Sequence, residues 1–186
     1  MRLAALAAAC LIDWSAQAAD PGPLPFPIQI EMAFELTDQD GRQVTEADFA
    51  GQPVMLFFGY ANCQSICSVA LPMMGETLRR LGPDAAELTA VMITIDPDRD
   101  TPEALAAAMP RYHPALLGLT GSEGALADIR ARFQIERSVV AREPDGAPIF
   151  AHGGFVYLIG PDGQVTAALP PILSPERMAE LIRARL

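Results

Sequence analysis

Two runs of the chain are apolar at almost every position. PVMLFFGY, residues 53 to 60, and LTAVMITID, residues 88 to 96, have strand length and no sustained polar alternation, which predicts strands buried on both faces of a sheet. Between them Ile66, Val69, Ala70, Met73, Met74, Thr77, Leu78 and Leu81 recur at helical spacing. They predict a helix with one apolar stripe, stopped by LGPD at 81 to 84. Pro72 falls inside that helix, removes the hydrogen bond to the Ser68 carbonyl, and predicts a kinked or irregular first turn. Strand, helix and strand in this order form a right-handed crossover unit.

The flanks complete the pattern. EMAFELTDQDGRQVT alternates apolar and polar side chains around Asp40 and Gly41, as a hairpin does. RDTPEALAAAM opens a helix with Asp100 or Thr101 as its cap and Pro102 in the first turn. A short strand follows around Ala115 to Gly118, then a helix from Ser122 to Phe133 and a strand at GGFVYLIG, 153 to 160. After a PDG turn and the returning strand QVTAAL, SPERMAELIRARL forms a last amphipathic helix with Ser174 as cap and Pro175 at its first position. This order predicts an α/β fold, a thioredoxin-like sandwich with a central mixed sheet flanked by helices and decorated by an N-terminal β-hairpin.

The first 20 residues depart from this pattern. Arg2 precedes an apolar run from Leu3 to Ile12 and then small residues suited to cleavage after Ala18 or Ala19, the pattern of a secretory signal. Residues 1–19 are expected to be that signal, removed or retained as an anchor. Cys10 offers a lipoprotein-type route instead, although Ala7 stands where such sites usually carry leucine. PGPLPFPI makes 20–28 a proline-rich linker, and 29–186 is expected to be one domain. The implied location is the periplasm, with membrane contact only through an uncleaved or lipidated N-terminus. A formal net charge of -10 excludes a phosphate-backbone partner, since nucleic-acid binding needs clustered Lys and Arg.

Loss of Cys10 with the signal would leave Cys63 and Cys67 as the remaining pair. In an oxidising compartment such a pair is a disulfide, is held by a metal, or is kept reduced by a partner. On a helix the C-x-x-x-C spacing puts both sulfurs on one face about one turn apart, which suits two thiolates on one metal ion and, after adjustment, a disulfide. The spacing does not decide between them. A metal would need a third ligand, and the histidines are His113, in a loop before proline and expected to be solvated, and His152, at the mouth of the strand over 153 to 160 with two glycines behind it. Two thiolates and an imidazole favour copper, as Cu(I) or Cu(II), over magnesium, calcium or manganese; zinc would also accept them, although they lack the fourth ligand of a structural zinc site.

FFGYANCQSIC, then VMITIDPDRDTPEAL, then HGGFVYLIGPDGQV, with LTDQDGRQVTEADFAGQPV in front, resembles the SCO/SenC family of copper-binding, thioredoxin-fold proteins over roughly residues 30 to 184. The resemblance implies that Cys63, Cys67 and His152 are copper ligands, with Asp96 in support behind them. It implies a metallochaperone that assists assembly of the dinuclear copper centre in subunit II of cytochrome c oxidase, or serves another copper protein. The alternatives are a thiol-disulfide reductase that uses Cys63 and Cys67 to keep the target's cysteines reduced and is itself served by a thiol reductant, and a copper or redox sensor. Members commonly carry proline after each cysteine; here Gln64 and Ser68 stand there. A peroxidase does not fit, because Tyr60 stands three residues before Cys63, where the related peroxiredoxins carry a Thr or Ser before their peroxidatic cysteine. Asp98, Arg99 and Asp100 read as a charged strand-to-helix turn, Met73 and Met74 as core, and Phe58 and Tyr60 as packing beside the site.

Overall fold

The computed structural model describes residues 30, 32–61 and 67–186, with Cys67 and Ser68 described for their backbone alone. The expected signal and linker, Cys10, Cys63, Gln64 and Ile66 lie outside the described residues. The elements in chain order are β1 (Glu35–Asp38), β2 (Gln43–Thr45), β3 (Val54–Gly59), α1 (Cys67–Leu81), β4 (Thr89–Thr94), α2 (Pro102–Ala108) and β5 (Leu116–Thr120). They continue with α3 (Glu123–Arg132), β6 (Arg137–Arg142), β7 (Pro148–His152), β8 (Val156–Ile159), β9 (Val165–Leu169) and α4 (Pro175–Arg183).

Seven strands form one sheet in the order β2-β1-β5-β4-β3-β8-β9. The two apolar runs lie side by side at its centre: β3 pairs with β4 in parallel from Val54 opposite Thr89 to Gly59 opposite Thr94. Every residue of β3 is buried, as a strand covered on both faces must be. Burial of a side chain such as Phe57 or Phe58 contributes roughly 1.5–3 kcal/mol. β5 joins β4 in parallel and β8 joins β3 antiparallel, so the sheet is mixed and, with its flanking helices, thioredoxin-like. Among the described residues no helix is long and apolar enough to cross a membrane.

The front hairpin does more than decorate. β1 pairs antiparallel with β5 as well as with β2, so the hairpin extends the central sheet by two strands. Its turn is held by the buried Asp38, whose Oδ1 accepts from the N–H groups of Asp40 and Arg42, both at 2.8 Å. Gly41 supplies the positive φ of 79° that this turn requires.

Helix α1 follows the expected stripe from Ala70 onward. Met73, Met74, Thr77, Leu78 and Leu81 are buried, whereas Val69 is 47% exposed and stands outside the stripe. The helix runs through Pro72 without interruption. The proline's missing N–H leaves the Ser68 carbonyl in the first turn without an intrahelical donor. Thr101 caps α2, its Oγ1 accepting from Ala104 N at 3.3 Å, and Ser174 caps α4, its Oγ accepting from Arg177 N at 3.3 Å, with Pro175 in the first turn as expected.

The two-stranded sheet β6–β7 has no counterpart in the sequence expectations. β6 is exposed along nearly its whole length, so it lacks the buried alternation that marks a strand. This places His152 differently too. It is the last residue of β7, opposite Arg137, and residues 153–155 separate it from β8.

One close approach tests the packing of α1. A Cβ on Gly75 would lie 2.4 Å from the Tyr112 carbonyl oxygen, a backbone atom that cannot swing away. Gly75→Ala gains up to about 1 kcal/mol of helix propensity but forces α1 off its neighbour at a cost of about 1–3 kcal/mol. A net loss of stability is expected in urea unfolding; an alanine variant more stable than the parent would show that the helix does not sit this close.

Candidate metal centre

β3 and β4 end together, and the residues that follow them build the site. Crevices at the carboxyl ends of parallel strands are where open α/β sheets bind ligands, because the loops there diverge. The loop after β3 runs through Tyr60 and Ala61 toward the cysteine segment, and α1 begins at Cys67. The loop after β4 carries Asp96, Asp98, Arg99 and Asp100 into α2. The hairpin β6–β7 brings His152 to the same end.

Asp100 joins the two loops. It is buried, its Oδ2 accepts from Thr94 Oγ1 at 2.6 Å, and the same carboxylate accepts from the Ala61 N–H at 3.0 Å. It therefore fixes the backbone immediately before the cysteine segment. Thr101 takes the capping role, which leaves the Asp100 carboxylate for this cross-link. The sequence offered one signal for it: an acid followed by Thr-Pro, where the threonine already caps the helix.

Asp96 works through Arg99. Its buried carboxylate binds Arg99 Nε, while Arg99 Nη2 donates to the Pro148 carbonyl at 2.8 Å. The Arg99 guanidinium also lies 5.3 Å from the centre of the Tyr60 ring, a cation–π contact. One arginine thus ties the β4 loop to the start of β7 and to the end of β3. Asp98 is exposed on that turn.

Tyr60 is more than packing. Its hydroxyl accepts from Phe150 N at 3.4 Å, and its ring meets Phe150 edge-on at 5.7 Å. It also meets the His152 ring at 6.1 Å, and Phe57 meets that imidazole from β3 at 6.0 Å. Two aromatic rings therefore hold the half-buried His152 side chain against the end of β3. Phe58 points elsewhere, into a core cluster with Phe133 at 5.1 Å and Tyr157 at 6.4 Å.

His152 Nδ1 lies 2.8 Å from the Gly153 carbonyl. A carbonyl can only accept, so Nδ1 carries the proton and, in the neutral ring, Nε2 is the nitrogen with the lone pair. A histidine that ligates a metal through one nitrogen usually has the other held in this way. Among the described residues no group of three His, Cys, Asp or Glu side chains converges on a metal position. The expected set depends on Cys63, outside the described residues, and on the Cys67 side chain, which is likewise not described.

The other candidates fall away from this end. His113 is half-buried rather than solvated, its Nδ1 accepts from Ala115 N at 3.1 Å, and burial, with the neighbouring Arg79 charge, lowers its pKa. Met73 and Met74 are buried in the core, and Met73 Sδ accepts from Thr77 Oγ1 at 3.5 Å.

Burial pushes the Asp100 pKa up from 3.8 to about 6. The bonds from Thr94 and Ala61 oppose the rise, Asp96 adds to it, and Arg99 opposes it. A carboxyl with a raised folded-state pKa binds its proton more tightly folded than unfolded. Its stabilising contribution is full below about pH 4 and is lost as pH rises through about 6. Relative to an Asp100→Asn variant, the parent should gain up to about 3 kcal/mol of stability as pH falls from 7.5 to 4. Urea unfolding across that range measures it, and a difference independent of pH would show that Asp100 does not titrate there.

Comparison with known proteins places this arrangement. The SCO1/SenC family profile matches residues 23–186. The mitochondrial SCO2 homolog of Bos taurus is 34% identical over 155 residues, covering 82% of this chain but 58% of that protein, so the chain spans about three fifths of that relative. ScoI of Bradyrhizobium japonicum, solved with copper bound, superposes with a TM-score of 0.76 at 32% identity, over 82% of this chain and 97% of that one. Yeast Sco1, also solved with copper bound, gives 0.73 at 29% identity, over 81% and 84%. With a family match across nearly all of its length and a sheet that superposes on copper-bound Sco structures, the chain belongs to the SCO1/SenC family.

Proposed function

We propose that the chain binds copper through Cys63, Cys67 and His152 and delivers it to a copper protein, the dinuclear centre of cytochrome c oxidase subunit II being the target that the family points to. The observation that carries this reading is His152. Its ring is clamped by Phe57 and Tyr60 where β3 leads into the cysteine segment, and its Nδ1 is bonded to the Gly153 carbonyl. Two thiolates and an imidazole make a soft donor set suited to copper as cargo. Asp100 and the Asp96–Arg99 pair would hold the loops on either side of the ion. An exported, periplasmic location is part of the proposal, since it is where an N-terminal signal would send the chain and where the target's copper centre would be reached.

One feature favours a second reading. Cys67 opens α1, a helix of 15 residues, and a helix N-terminus lowers a thiol's pKa and raises its reactivity. With Cys63 it could pass two electrons to a disulfide of a copper protein and become a disulfide itself, to be restored by an external dithiol. The same sulfurs carry either an ion or two electrons, so the two activities would alternate.

The test is copper content and absorption of the reduced chain under anaerobic conditions, beside His152→Ala. The parent should hold copper with thiolate-to-Cu(II) charge-transfer bands, and the variant's affinity should fall by at least about tenfold. If neither retains copper while both reduce a disulfide substrate, the cysteines are an electron-transfer pair and the chaperone reading fails.

A further inference from the structure

Beside His152, between the hairpin and α3, lies an open pocket of about 540 Å³ lined by Glu123, Arg130, Ile135, Arg137, Val139 and Phe150. It concentrates positive charge in a chain whose formal net charge is -10. Glu123 Oε1 accepts from Arg130 Nη2 at 2.6 Å and from Arg137 Nη1 at 3.0 Å, so two guanidinium groups share one carboxylate. Arg130 is buried to within 8% of its side-chain surface. Its Nη1, and Nε of Arg137, are buried without a hydrogen-bond partner among the described residues. Buried N–H groups of charged side chains are rarely left so, and an acceptor entering the pocket would complete them once the guanidinium groups turn to meet it.

We infer that this pocket is a docking subsite for a carboxylate side chain of a protein partner. The surplus is one positive charge, which matches a monoanion; a phosphate dianion would place excess negative charge against Glu123. A guanidinium fork is shaped for the two oxygens of a carboxylate. Arg137 is held in place, its guanidinium 4.3 Å above the Phe150 ring. The wall says that the carboxylate belongs to a protein: Val139, which lines the pocket, is 52% exposed, an apolar contact that a small free anion would not cover.

The position gives the subsite a purpose. Arg137 is paired directly opposite His152 across β6–β7, so the two side chains leave the hairpin on one face with Cβ atoms roughly 5 Å apart. A partner anchored at Arg137 would have its neighbouring surface over the candidate copper ligand. This rests on the copper-delivery reading for its meaning, though the pocket's chemistry stands apart from it.

The experiment titrates the full chain with the peptide Ac-Leu-Glu-Leu-NH2, its Gln counterpart and acetate, following the side-chain Nε–Hε signals of Arg130 and Arg137 by NMR. The Glu peptide should shift both signals and bind at least about tenfold tighter than the other two. Arg137→Gln should lose that preference, and so should Val139→Asp, an exposed substitution that sets a competing carboxylate at the rim without disturbing the core. Acetate binding as tightly as the peptide would make this a free-anion site and overturn the docking role. Unmoved arginine signals, or equal binding of the Glu and Gln peptides, would overturn the subsite itself. Copper content of His152→Ala is read separately. If that variant keeps its copper while the parent shows the expected peptide preference, the ligand assignment fails and the subsite stands.

Discussion

The buried carboxylate of Asp100 is the point on which the functional end of this molecule turns. β3 and β4 are adjacent parallel strands, and hydrogen bonding between them stops where their loops diverge. Asp100 carries the connection past that limit by taking the Thr94 hydroxyl from one strand and the Ala61 N–H from the loop after the other. A charged group in such a setting is costly unless its lone pairs are filled. Here they are filled by the groups whose separation must be fixed, so the burial that strains the carboxylate is also what makes the cross-link short and directional.

A second layer of contacts brings in the hairpin. Arg99 and Tyr60 join the Arg137–Glu123 pair and the Phe57–His152 contact in holding β6–β7 to the rest, as a two-stranded sheet needs, since isolated hairpins are marginal in water. Arg99 reaches Pro148 at the start of β7, and Tyr60 meets Phe150 in the middle and His152 at its end. The contacts are spaced along one strand, so they set its angle as well as its distance. A histidine at the end of a loosely held strand would sweep an arc; three fixed points along that strand remove it.

The central sheet was legible because its signal is strong and local. Continuous apolar runs at 53 to 60 and 88 to 96 can be little else, and Ser174 and Pro175 spell a helix start in two letters. What escaped was β6–β7, whose exposed Val139 and Val140 give no alternation; the turn residues around Gly146, with φ of 88°, were the available cue. Val69 was misplaced because it continues a spacing that the packing does not use at the helix start. At the candidate site, His152 was singled out by type and by motif order; Asp100 was marked only by its place before Thr-Pro, and the contacts of Arg99 and Tyr60 with residues tens of positions away could not be read. Only three dimensions show that the DRDT turn reaches back to Ala61 and across to Pro148.

The sheet extension made by the N-terminal hairpin bears on how the protein keeps its own company. Without β1 and β2, the parallel strand β5 would present its whole length of unpaired backbone to any passing copy of the chain. β1 takes up that edge in antiparallel register, and β2, with which the sheet then ends, is three residues long and bordered by Arg42. An edge so brief and charged offers a poor template for strand addition. The opening segment thereby acts as a hem on the sheet, one that stops it from being continued by its neighbours in a crowded compartment.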